Sequence, residues 1–141
     1  LQTAYSEKTI AFWMRSNNNT GNRIVADIGG SDDGLAVRLD ANTLHAGIAA
    51  NNVRVSVSTP YTSTAWNHVA VVYNRNSIRL FLNGVEVASN NALSFTTTTT
   101  TSGASRIGGN NGSNAFNTGT GFFNGWIDQF VVYANALTAT N

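Results

Sequence analysis

Cysteine is absent from the 141-residue chain, and proline, lysine and methionine occur once each. Without cysteine there is no disulfide-dense scaffold and no thiol nucleophile, and the sequence carries no mark of its redox compartment. A chain of this length buries roughly 68–70% of its unfolded surface on folding, so it forms a core without staples or metals. Charge is scarce as well: 11% of residues are charged, against about 25% in ordinary domains. Ser, Thr, Asn and Gly supply the polar surface instead, which suits an extracellular, glycan-facing or fibre-like protein. The net charge of +1 creates no field that would gather nucleic acid or a membrane surface. No stretch of 18 apolar residues is available for a transmembrane helix, and no signal-peptide pattern is visible. The start at Leu1 suggests a mature fragment or an excised module of a larger secreted protein.

What is present has a period of two. Ile10, Phe12 and Met14 alternate with Ala11, Trp13 and Arg15; Leu35, Val37 and Leu39 with Ala36, Arg38 and Asp40. Leu44, Ala46 and Ile48 alternate with His45 and Gly47, and Val53, Val55 and Val57 with Arg54, Ser56 and Ser58. This is the pattern of half-buried strands. Shorter strands are expected over 23–28 and 104–108, and a longer one over 122–133. Trp66–Tyr73 is apolar or amphipathic at nearly every position, as in a strand packed on both faces. Ile78–Leu82 then meets Asn83-Gly84, the strongest two-residue hairpin signal. A meander over 66–88 follows. Turn clusters at 17–21, 29–34, 51–52, 59–64, 110–114 and 117–121 separate the strands, with Pro60 in one of them. Many short strands at even spacing predict a sandwich or barrel in a single domain. The six threonines Thr96–Thr101 have no apolar face to fix a register and read as an exposed connection or edge.

Thr9-Ile10-Ala11-Phe12-Trp13-Met14-Arg15, Trp66–Tyr73, Ile78–Gly84, Ile107-Gly108 and Phe123–Tyr133, closed by Ala136-Leu137-Thr138, stand in this order over residues 9 to 138. Together they resemble the laminin G-like modules of the concanavalin A-like lectin/glucanase superfamily. The resemblance implies an all-β antiparallel sandwich, a jelly roll with one concave and one convex sheet. It also implies a further strand before the Phe-Trp block, of which Leu1–Lys8 is a poor copy. That strand is expected to be shortened, cut off or supplied by another chain, leaving an open edge that invites oligomerisation.

The chain offers little to catalysis. Enzymes of the superfamily cluster carboxylates on one strand, and glycoside hydrolysis needs two facing each other. Here the acids are Glu7, Glu86, Asp27, Asp32, Asp33, Asp40 and Asp128, with no Glu-x-Asp or Glu-x-x-x-Glu pattern. No nucleophile motif lies near His45 or His68, so no catalytic residue is assigned. Calcium is a separate question. The loop Asp27–Gly34 offers Asp27, Asp32, Asp33 and glycine-exposed carbonyls, oxygen donors of the kind Ca²⁺ takes; the same residues also serve an ordinary hairpin turn. Asp128 lies within an apolar strand, where a bare carboxylate is costly, and calls for an Arg, backbone N–H groups or Ca²⁺. The resemblance implies a structural Ca²⁺ between the first and last strands, with Asp128 as a ligand.

Sugar recognition needs an aromatic platform and a few orienting polar groups. The aromatic candidates are Trp126, Tyr61, Phe116 and Trp13, with Trp13 expected to pack because it occupies the family's own tryptophan position. The non-core positions of successive strands supply Arg15, Arg38, His45 and Arg54, whose guanidinium forks suit carboxylate or sulfate. The expected function is a non-catalytic, secreted or cell-surface module that binds a polysaccharide or surface glycan beside other domains of a larger enzyme, adhesin or fibre. The alternatives are a structural or protein-interaction module without a sugar site, and a carbohydrate-active enzyme domain.

Overall fold

The computed structural model describes residues 3–100, 103–109, 113–118 and 121–138. These contain eleven strands and no helix: β1 (Glu7–Ser16), β2 (Asn22–Gly29), β3 (Gly34–Asp40), β4 (Thr43–Ala50), β5 (Val53–Pro60), β6 (Asn67–Asn74), β7 (Ser77–Leu82), β8 (Val85–Asn90), β9 (Arg106–Ile107), β10 (Gly121–Phe122) and β11 (Gly125–Tyr133). They form two sheets. One runs β11-β1-β6-β7-β8, and the other β10-β2-β3-β4-β5, with β9 also paired to β2. All pairings are antiparallel except that of β10 with β2. The expected β-sandwich is therefore what the chain forms.

The alternation in the sequence decides which side chains enter the core, because neighbours along a strand point to opposite faces. Ile10, Phe12 and Met14 of β1, Val69, Val71 and Tyr73 of β6, and Ile78 and Leu80 of β7 face Leu35, Val37, Leu39, Leu44, Ala46 and Ile48 of the other sheet. The Asn83-Gly84 turn forms as expected, both residues having positive φ (51° and 81°). Asn83 also ties the turn to β6: its Oδ1 accepts from the His68 N–H at 2.8 Å and its Nδ2 donates to Asn67 Oδ1 at 2.9 Å.

Three expectations are sharpened. The Phe-Trp strand β1 is interior to its sheet, paired on one side with β6 and on the other with β11; the outer strands of this sheet are β8 and β11. Trp13 is not packed inside but projects outward, 38% exposed. The threonine run is an exposed connection at Thr96, Thr97, Thr99 and Thr100, as expected, and is anchored at two points. Thr98 is buried and its N–H donates to Tyr5 O at 3.0 Å, while the N–H and hydroxyl of Thr99 both donate to Asp33 at 2.6 Å. Thr101, residues 110–112 of the first Asn-rich turn and 119–120 of the second lie outside the described residues.

Candidate functional site

The outward face of the β2–β5 sheet is built in rungs. Ile24, Arg38, His45 and Ser58 form one, Asp27, Ala36, Gly47 and Ser56 the next, and Ala49 and Arg54 a third. Side chains opposite each other in an antiparallel pair lie on the same face. Arg38, His45 and Arg54 therefore stand together, as their alternation predicts.

A short segment crosses this face. Asn114 shapes it: its Oδ1 accepts from the Phe116 N–H and its Nδ2 donates to Thr118 O, each at 2.9 Å. Ala115 is buried against Ala36 and Ala49. The Phe116 ring lies on Gly47 so closely that a Cβ there would stand 2.6 Å from the ring. That contact explains a glycine in mid-strand, where its lack of a side chain otherwise weakens a sheet. The Arg38 guanidinium carbon is 4.7 Å from the centre of the Phe116 ring, and His45 meets the same ring edge-on at 6.3 Å. A hollow of about 270 Å³ remains beside the ring, bordered by Arg38, Arg54, Ser56 and Thr118.

The electrostatics of the hollow are uneven. Arg54 is committed to Asp32 at 3.1 Å. Arg38 has no ion pair among the described residues, and its Nε is buried without a hydrogen-bond partner. A buried donor left unmade costs about 1–3 kcal/mol, so the Arg38 fork is a charge held ready for an acceptor. His45 is pushed below its ordinary pKa by burial first and by Arg38 second, with Asp40 opposing. It is neutral at pH 7 and can both donate and accept.

The other expected ligands do not join this group. Tyr61 is a core residue, 2% exposed, its hydroxyl accepting from Asn67 Nδ2 at 3.2 Å; following the turn into β6, its ring faces inward and offers no platform. Trp126 and Arg15 are cross-strand partners on the opposite sheet, where the guanidinium carbon lies 4.9 Å from the indole centre. The expected calcium ligands also fail to converge. Asp33 is buried and accepts from Asn51 N–H as well as from Thr99. Asp32 faces solvent and holds Arg54. Asp128 is exposed on the far sheet and accepts the N–H of Gln129, a residue with φ 50°. Its carboxylate lies outside the core at this irregularity. Among the described residues no three acidic or histidine side chains are close enough to hold a metal.

Asp27 is the remaining carboxylate. It is fully buried, and neither oxygen has a hydrogen-bond partner. Burial raises its pKa to about 7, against the pull of Arg106, its partner on β9. Sequence reasoning missed this isolation, and it missed that Phe116 covers Gly47. A glycine at an outward position of an otherwise alternating strand was the available signal for the second.

A family profile described as the concanavalin A-like lectin/glucanases superfamily, of laminin G type, matches residues 2–141. No curated protein sequence matches. Among solved structures, domains LG4-5 of the mouse laminin alpha1 chain superpose with a TM-score of 0.76 at 12% identity, covering 98% of this chain and 39% of that one. The Ruminococcus gnavus IT-sialidase CBM40 bound to alpha2,3 sialyllactose gives 0.74 at 14% identity, covering 99% and 81%. The binding domain of botulinum neurotoxin DC in complex with SialylT gives 0.66 at 18% identity, covering 96% and 34%. The chain thus spans about two fifths of the laminin structure and one third of the toxin structure.

Proposed function

This chain belongs to the laminin G-like family of the concanavalin A-like lectin/glucanases superfamily, and on that premise we propose that it is a non-catalytic module that binds anionic glycans. The site is the Arg38–His45–Phe116 group. One observation carries the reading: Arg38 and His45 are cross-strand partners that share one aromatic ring, and the guanidinium has no carboxylate of its own. A carboxylated or sulfated sugar would bring the acceptor the Arg38 fork lacks, neutral His45 would bond a hydroxyl, and Phe116 would cover an apolar ring face. Two of the similar structures are complexes with sialyllactose or SialylT, which fits a ligand of this charge.

Catalysis does not fit the same face. Asp32 holds Arg54, and Asp27 is sealed from solvent, so no pair of accessible carboxylates brackets the hollow as glycoside hydrolysis requires. Secretion or display at a cell surface follows from the proposed ligand and from the low charge of the chain.

Glycan-array binding followed by calorimetry tests the proposal. Sialylated, uronic-acid and sulfated glycans should bind in preference to their neutral counterparts. Arg38→Ala should weaken the best of them about tenfold or more, the loss of one charge-assisted hydrogen-bond pair. Binding that ignores carboxylate and sulfate, or that survives Arg38→Ala combined with Arg54→Ala, would sink it.

A further inference from the structure

We propose that the outward face of the β11-β1-β6-β7-β8 sheet is a second sugar-binding surface, one that takes an uncharged sugar ring in a slot beside Trp13. It lies on the opposite side of the sandwich from Arg38 and asks for a different ligand.

The slot follows from the rungs of the sheet. Ala11 and Ala70 are cross-strand partners at its floor, with Val131 and Phe81 at the two ends of the same rung. Two small residues between larger ones make a trough. On one side Tyr133 stands opposite Thr9, and on the other His68 lines the trough, with Trp13 next to it on β1 just outside the lining. The trough has a volume of about 160 Å³, similar to the ~150 Å³ apolar cavity that accepts a benzene molecule, so it admits one six-membered ring.

Its lower end is built, not incidental. The segment after β11 turns back over β1 and closes the trough with Leu137 and Thr138. The Thr9 hydroxyl fixes that segment twice, donating to Asn135 O at 2.9 Å and accepting the Leu137 N–H at 3.0 Å. A wall fixed before binding spares the ligand the entropy of ordering it.

Charge and chemistry select the occupant. Each ionised group on this face has company, including Arg79 at the edge of the trough, 5.5 Å from the Phe81 ring, and Glu7 at its lower end, 3.9 Å from Arg75. Arg79 stands 3.8 Å from Glu86, Arg15 lies over Trp126, and Asp128 accepts from the adjacent N–H. Between them lie Trp13, Tyr133 and the trough, whose lining contains no acidic, lysine or arginine side chain. Trp13 and Tyr133 are each 38% exposed and Trp126 is 49% exposed, a concentration of exposed aromatics that marks a recognition surface. The His68 imidazole stands at the rim, 5.3 Å from the Trp13 ring and edge-on to it. Its ring makes no hydrogen bond to the described residues, so its nitrogens are open to a ligand. Apolar rings for C–H faces, with one polar group at the edge, match a neutral sugar better than a charged one or a wholly apolar partner.

The test is a titration of the folded chain with neutral hexasaccharides of glucose, N-acetylglucosamine, mannose and galactose, read by tryptophan fluorescence and by amide and indole NMR shifts. At least one series should bind saturably, with shifts centred on Trp13, Ala70 and Tyr133. Trp13→Ala and Tyr133→Ala should each weaken it about fivefold or more, as expected for one lost stacking contact. Trp13→Phe, which keeps a ring, should retain most of the affinity, and Arg38→Ala should leave it unchanged. Loss of anionic binding in Arg38→Ala with neutral binding intact keeps the two sites distinct. Absence of shifts with every series, shifts confined to Phe116 and its neighbours, or a Trp13→Ala variant that changes only the oligomeric mass in light scattering would each overturn the proposal. The last outcome would assign the face to a second copy of the chain.

Discussion

At the scale of the residue, Asp27 makes the sharpest prediction. Its pKa in the folded chain is raised to about 7 from 3.8. Between these values the folded state holds a proton that the unfolded state has released, so stability must fall as pH rises through that window. The full difference corresponds to about 4 kcal/mol, a large share of the 5–15 kcal/mol typical of a domain. Lys8 works in the opposite sense. Buried beneath the β1 entry with its ammonium 3.4 Å from the centre of the Tyr5 ring, it is depressed to about 8 by burial. Over the window from there to its ordinary value the unfolded chain binds the extra proton, and stability rises with pH. Together the two groups place a minimum of stability near pH 7–8. Urea denaturation from pH 4 to 9 should show the midpoint falling to neutrality and recovering above it, and Asp27→Asn should remove the fall while leaving the rise. A flat profile in the parent chain would refute the burial argument. The burial of neither group is legible in the sequence: Asp27, at the end of the expected 23–28 strand, reads there only as an oxygen donor for calcium, and Lys8 precedes the strand signal.

At the scale of the element, strands were legible and their coverings were not. Alternation located β1 to β8 to within a few residues, because burial on one face imposes a period of two on any strand. It also grouped Arg38, His45 and Arg54 correctly, since the three share a parity on adjacent strands. The 113–118 segment has no period, as no sheet dictates its side chains; only its imprint on Gly47 points to it. That imprint is testable. Gly47→Ala would place a methyl where the Phe116 ring now lies, forcing the ring to move. Overpacking of this kind costs typically about 1–3 kcal/mol. The expected result is a lower urea midpoint, new protease cleavage within residues 113–118, and loss of anionic-glycan binding without loss of neutral-sugar binding. Unchanged proteolysis would mean that the ring is not held against the strand. The resemblance implies a packing role for Trp13; its parity is opposite to that of Phe12, so it packs on the outer face, edge-on to His68.

At the scale of the whole molecule, the sandwich separates stability from recognition. Stacked sheets lie about 10 Å apart, the core fills the space between them, and in the two proposals above each outward face takes a different ligand chemistry. β1 shows the division within two residues. Phe12 is fully buried and stacks on Phe130 of β11, ring centres 5.3 Å apart. That contact joins strands that are distant in sequence and closes the sheet at that side. Trp13, its neighbour, points away and touches His68. Phe12→Ala should therefore cost about 3–5 kcal/mol, enough to lower the urea midpoint severely, and any sugar it still bound would be bound with normal affinity per folded molecule. Trp13→Ala should leave the midpoint nearly unchanged, within the ±0.5 kcal/mol usual for surface sites, and remove the neutral sugar. Measuring both variants for both properties gives four values. If Trp13→Ala destabilised as strongly as Phe12→Ala, the indole would be part of the core, and the outward face would lose its principal sugar contact. If instead the two effects separate as stated, the alternating signature that identifies the fold also divides its residues between holding the sandwich and equipping its surface.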